Sequence, residues 1–199
     1  MSYPVRLKFE KEKFVSSVAF LAAHIENLDK LKAAKLLYFA DKYHLLKYGR
    51  PIMGDVYYRL DYGPVPSKAL DIMNEVIQDR KMDFPQPNLQ LFREYLKIDA
   101  DKRYPTIELK KKVSDYLEYL SESEKEALQD TIEKFGKYSG AQLIKLSHKE
   151  SPWLKTSEND EIDYRLFFED AESDPAALEY FEQSFREQSE IVFLLTSPY

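Results

Sequence analysis

Apolar residues first recur at helical spacing between Glu10 and Asn27. Phe14, Val18, Leu21, Ala22 and Ile25 form one stripe there, and Ser16, Ser17 and Glu26 fall mainly off it. Asn27-Leu28-Asp29 breaks the pattern, and Asp29 carries the short polar side chain that caps a helix start. The next helix is predicted over Lys30 to Tyr48. Leu31, Ala34, Tyr38, Asp41 and Leu45 share one side of it, with Leu37, Ala40 and His44 on an adjacent side. Apolar character over so wide an arc marks a central helix. Gly49 stands where a left-handed residue ends such a helix, and Pro51 prevents its continuation.

Beyond this point the pattern shortens. Asp55 to Leu60, rich in Val and Tyr, reads as a short extended segment between turns rich in glycine and proline, and Ser67 is the expected cap of a helix running to about Arg80. Phe84-Pro85-Gln86-Pro87 reads as a rigid connector. Residues 88–112 fit a short helix through Leu89, Phe92 and Tyr95, followed by a hairpin of Tyr95–Ile98 with Tyr104–Leu109 around Asp99–Arg103. Ser121 with Glu124, and Ser123 with Glu126, have the spacing of a capping box for a helix ending at Gly136. Ser139 caps a helix from Gly140 to about His148, closed before Pro152. Residues 156–163 read as a polar turn, and Asp174-Pro175 starts a last helix to about Ser189. The fold class expected is mainly α: a compact helical domain with a small antiparallel β element, plus a C-terminal helical appendage.

Charge divides this chain of 199 residues unevenly. The net charge is −6, from 29 Lys+Arg and 35 Asp+Glu. Residues 1–155 hold 27 basic and 23 acidic side chains, and residues 156–199 hold 2 and 12. A near-neutral body thus carries a tail of net −10. Such asymmetry points to a partner. The division suggests a domain at 1–155 and an acidic, aromatic segment at 156–199, either binding a partner or docked on the domain.

The same composition narrows the function classes. With no cysteine, a disulfide framework, a thiolate metal site and a cysteine nucleophile are excluded. The charged N-terminal stretch lacks the apolar core of a secretory signal, and Leu36–Ala40 and Ile191–Leu195 are far too short to span a membrane. An acidic chain lacks the counterion release that drives nucleic-acid binding. A soluble, cytoplasmic protein is expected, with no cofactor and no membrane or nucleic-acid partner.

Candidate chemistry is sparse. The glycines match no phosphate-binding loop, and His24, His44 and His148 show no metal-ligand spacing. Asp41 and His44 are three apart on one helix and could touch, but no nucleophile stands at a recognisable spacing. No positive argument for an enzyme emerges. Two aromatic features remain. In the extended segment, Tyr57 and Arg59 are expected to face outward, with Asp61, while Tyr58, Leu60 and Tyr62 pack inward. In the tail, Tyr164, Phe167, Phe168, Tyr180, Phe181 and Phe185 stand among the acids, with Leu178, Phe181 and Phe185 on one helical stripe. That stripe either docks on the domain's own core or covers a basic groove of a partner.

Residues 35–73 resemble the Panacea domain, the family of SocA-like and phage GepA-like antitoxins. The matching pattern is Leu36-Leu37-Tyr38 in an apolar helix, the turn Tyr48-Gly49-Arg50-Pro51, and Tyr62-Gly63-Pro64-Val65 before another helix. A second block agrees in order: a Leu-Ser-capped helix, a glycine, then Leu146, Ser147, His148, Pro152 and Trp153. Where the family tolerates an alanine, this chain has Arg59. The resemblance covers roughly 10–155 and leaves the tail outside.

The resemblance implies a mainly helical domain with a small sheet, acting as the antitoxin of a two-gene system. Its partner would be a cognate toxin encoded beside it, such as an alarmone-synthetase-like or other translation-targeting enzyme, neutralised by direct contact. One branch of the family is instead a proteolytic adaptor that delivers its toxin to a cytoplasmic protease. A hydrolase built around Asp41 and His44 is the third reading. No catalytic residue is carried over. The tail and the Tyr57–Tyr62 edge are expected to form the toxin-binding surface. Trp153 is expected to plug the core against the Ala141–Leu146 helix, with His148 bonded locally.

Overall fold

The computed structural model describes residues 7–79, 89–99, 105–111, 117–170 and 175–196. The expected Phe84–Pro87 connector, residues 100–103 of the expected turn, Tyr104 and the Asp174 cap lie outside these residues. Among the described residues, two helices lie at the centre: α1 (Lys11–His24) and α2 (Lys30–Tyr48). Asp29 caps α2 through the amide of Lys32 at 2.8 Å, and Gly49 ends it with φ 71°.

Both helices are buried on more sides than their apolar stripes suggest. In α1 every side chain from Phe14 to Leu21 is buried, Ser16 and Ser17 included. The reason is tertiary, because residues 90–95, 106–109 and 122–135 all pack on α1. In α2 the burial extends to Lys35, Asp41, Lys42 and His44, while Leu31, expected inside, lies near the surface against Gly140.

After α2 the chain forms a hairpin, β1 (Tyr57–Leu60) with β2 (Gly63–Pro66), in which Tyr57 pairs with Pro66 and Leu60 with Gly63. Helix α3 (Ser67–Asp79) follows without a linker. Its N-terminus is held by Asp55 rather than by Ser67: Asp55 Oδ1 accepts from Lys68 N at 3.1 Å and Oδ2 from Ala69 N at 2.8 Å. The weakly patterned stretch beyond it contains α4 (Gln90–Tyr95), then β3 (Leu96–Asp99) antiparallel to β4 (Thr106–Leu109). This second hairpin is fastened to the break between α1 and α2 by Ile107 N donating to Leu28 O at 2.8 Å.

The C-terminal half packs on α2. Helix α5 (Glu122–Phe135) opens with the Ser121–Glu124 capping box, and α6 (Gly140–Ser147) with a Ser139–Gln142 box. Helix α6 closes before Pro152, as expected, and Pro152 sits in the first turn of a separate short helix, α7 (Ser151–Leu154). A 3-10 segment (Tyr164–Glu169) and α8 (Pro175–Thr196) complete the fold, α8 running further than its amphipathic pattern. Among the described residues the architecture is mainly α with two small antiparallel hairpins. No helix among the described residues is long and apolar enough to cross a membrane.

Candidate functional site

The polar side chains of α2 form the frame on which everything outside it is hung. Lys35 Nζ donates to Pro64 O on β2 at 2.6 Å, and burial pulls its amine down to about 7. Tyr38 Oη and Lys42 Nζ both donate to Glu150, at 2.7 and 2.6 Å, tying α2 to the link between α6 and α7. Asp41 Oδ1 accepts from the amides of Ile52 and Met53, and Oδ2 accepts from Tyr57 Oη at 3.0 Å. Burial raises the Asp41 carboxyl to about 7 although these three donors act against it. His44 is hydrogen-bonded to Arg50 O at 2.7 Å and to Ser123 Oγ at 3.0 Å, and burial lowers its imidazole to about 4. Asp41 and His44, adjacent in the helix, are therefore engaged with separate partners.

The family-type turns sit on this frame. Leu37 and Pro51 are in the core. Arg50 Nη1 donates to Glu124 Oε1 at 2.6 Å, so the turn after α2 grips the cap of α5. Gly63, with φ 85°, lies where a Cβ would come 2.5 Å from Ser147 Oγ and 2.9 Å from Lys35 Nζ, which brings β2 flush against α2 and α6. Leu146 packs partly buried against the core.

The hairpin reverses the expected facing of two residues, Tyr57 and Tyr62. Tyr57, expected outside, is fully buried, because Asp41 offers its hydroxyl an acceptor and Tyr38 and Phe167 enclose its ring at 5.4 and 6.2 Å between centroids. Tyr58 is half-buried, and Tyr62, expected inside, is 67% exposed at the turn beside exposed Asp61. Arg59 lies over the ring of Trp153 at 4.3 Å, and Trp153 stacks on His148 at 4.0 Å. Trp153 Nε1 donates to Leu60 O at 3.1 Å, so the tryptophan is a half-exposed brace beneath the hairpin rather than a plug in the core. His148 bonds the Asp61 backbone, and burial, with Lys35 and Arg59 nearby, lowers its imidazole. Two atoms in this stack, Arg59 Nε and His148 Nε2, are buried without a hydrogen-bond partner. Leu154, next along α7, is 58% exposed.

The start of the acidic tail is stitched to the same hairpin. Asn159 N donates to Arg59 O at 2.9 Å, Arg59 N to Asp160 O at 3.0 Å, and Ile162 N to Tyr57 O at 2.8 Å. Glu158 and Asp160 are exposed along this edge, and Glu161 is half-exposed. The charge step at residue 155 thus falls inside the packed body. Further on, Tyr164, Phe167 and Phe181 are buried and belong to the core, correcting their assignment to a contact surface. Tyr164 Oη donates to Asp55 O at 2.6 Å, and Phe167 stacks on Tyr164 at 5.4 Å. Phe168 and Phe185 are half-buried, and of the six aromatics assigned to that surface Tyr180 alone is exposed, at 52%.

The hairpin and α7 are thus joined through Arg59, Leu60 and Trp153, residues 159–162 bond to β1, and Asp61, Tyr62 and Leu154 are exposed on the same segments. The buried Lys35, Lys42 and Asp55 and the half-buried Glu150 escaped sequence reasoning, as did the ion pairs of the buried capping residue Glu124. Lys35 and Lys42 carried a signal, since both fall on the wide buried arc of α2 around Tyr38. A family model described as "Antitoxin SocA-like, Panacea domain" matches residues 34–154. No curated protein and no solved structure matches the chain.

Proposed function

Because the chain belongs to the SocA-like antitoxin family of the Panacea domain, we propose that it is the antitoxin of a two-gene system and neutralises the toxin encoded beside it by direct protein contact. It acts by binding, not by catalysis. The family match carries the reading of role, and the face built by the hairpin and α7 supplies the contact. Tyrosine, tryptophan and arginine are the residue types in which interface energy concentrates. Here Tyr62 and Leu154 are exposed and Arg59 is pre-stacked on Trp153, so that pair loses little side-chain freedom on binding. The exposed acids Asp61, Glu158 and Asp160, in the hairpin turn and the segment bonded to β1, favour a toxin that presents a basic surface, as enzymes acting on tRNA or nucleotide phosphates do.

Removal of the tail at residue 155 is a poor test, because it strips Tyr164 and Phe167 from Tyr57 and Tyr38. Point variants on the face are the better one. Co-expression with the neighbouring toxin gene should restore growth with the natural chain, and a Tyr62→Ala, Asp160→Lys double variant should lose rescue while keeping its helical circular dichroism. Full rescue by that folded variant would overturn the assignment of the face. A pulse-chase of the toxin should show an unchanged half-life, whereas delivery to a protease would shorten it.

A further inference from the structure

A recess of about 390 Å³ opens between residues 7–10, the turn after α2 and the flank of α8, away from the residues of the proposed toxin contact. Its polar end is unusual in charge. Lys13 Nζ and Arg50 Nη1 both donate to one oxygen, Glu124 Oε1, each at 2.6 Å. Burial alone would raise the Glu124 carboxyl, but the hydrogen bonds from Lys13, Arg50 and the Ser121 amide outweigh it and hold it at about 2. Two basic side chains thus face one carboxylate. The remaining charged lining residues, Lys8 and Glu10, offset one another at 3.4 Å. The recess as a whole keeps an excess of one positive charge. Its apolar lining includes Ile52 from the turn and Phe181 and Phe185 from α8. Space of this size, apolar walls and a few convergent polar groups are the attributes of a small-molecule pocket.

We propose that this recess binds a small molecule carrying one anionic group, a carboxylate or a phosphate monoester, on an apolar ring or short chain. The anion sits on Arg50 and Lys13, and the apolar body lies against Phe181 and Phe185. One wall belongs to α8 and the others to the body, so the bound molecule bridges the two and stabilises the docked helix by mass action. Neither the ligand nor its consequence depends on the identity of the toxin.

The test is calorimetric titration of the full chain with 4-phenylbutyrate, phenyl phosphate and the uncharged 4-phenyl-1-butanol. At least one anion should bind saturably at one site, about tenfold or more tighter than the alcohol, and the stronger anion tells carboxylate from phosphate. Arg50→Gln should remove the preference for the anion. Because Arg50 also holds the cap of α5, Ser184→Trp, which fills the recess from the α8 side, is the second variant and should abolish binding of every probe. Circular dichroism establishes that each variant is folded. Equal affinity for anion and alcohol, unchanged binding by folded Ser184→Trp, or no saturable binding of either anion in the millimolar range would each overturn the proposal.

Discussion

Lys35 Nζ lies 2.6 Å from the carbonyl oxygen of Pro64, and this one buried donor joins the central helix to the first hairpin. Burial holds the amine at about 7, against its ordinary 10.5. Between those two values the unfolded chain carries a proton that the folded chain has released. Stability therefore rises with pH over that interval, by up to about 1.4 kcal/mol per pH unit. Lys35→Met should remove this slope. Urea unfolding of both proteins at about pH 7 and about pH 9 measures it, and parallel profiles would contradict the burial of a titrating amine.

Asp41 and His44 should oppose one another on the acid side. The Asp41 carboxyl, raised from 3.8 to about 7, contributes stability that is complete at low pH and is lost as pH rises through 7. The His44 imidazole, lowered from 6.5 to about 4, contributes stability that is complete above 6.5 and is lost as pH falls through 4. The two terms largely cancel in the natural chain. Asp41→Asn should make acid destabilisation steeper, and His44→Gln should make it shallower, as urea midpoints across this range will record.

The run of the helices was legible because their signals are local. The Asp29 cap, the Gly49 stop, the Ser121 and Ser139 caps and the apolar stripe of α2 are each complete within a few residues, and the structure uses all of them. The facing of Tyr57 was not legible, because alternation gives two phases and the choice between them is made by Asp41, sixteen positions away. Asp55 caps α3 from across the whole hairpin, so Ser67, the nearer residue of capping type, was the natural but mistaken reading. In the tail, acidic composition masked Tyr164 and Phe167, whose partners are rings on α2 and β1 more than a hundred residues earlier.

Those two rings separate stability from binding. Phe167 is fully buried against Tyr38, Tyr57 and Tyr164, so Phe167→Ala should destabilise by about 3–5 kcal/mol in urea unfolding. Tyr62 is exposed, so Tyr62→Ala should change stability by less than about 0.5 kcal/mol. In toxin binding measured by calorimetry, Tyr62→Ala should cost about 2 kcal/mol or more. A Tyr62→Ala protein that binds normally would remove that residue from the contact.

Gly49 tests how α8 is seated. Its φ of +71° disfavours any side chain, and a Cβ there would stand 2.5 Å from Ala177 O in the first turn of α8. Gly49→Ala should destabilise by about 1–3 kcal/mol from the backbone term alone. It should also lift α8, so limited proteolysis should cut the C-terminal region faster than in the natural chain while the remainder resists.

Strand β1 has a neighbour on each side: β2 on one, and residues 159–162 on the other. Its main-chain groups are thereby spoken for, and the edge that invites an incoming strand has been closed from within the same molecule. Whatever docks there must read side chains instead of backbone. A protein that recognises through side chains can change its partner by exchanging a few exposed residues, without redrawing a single ladder of the fold.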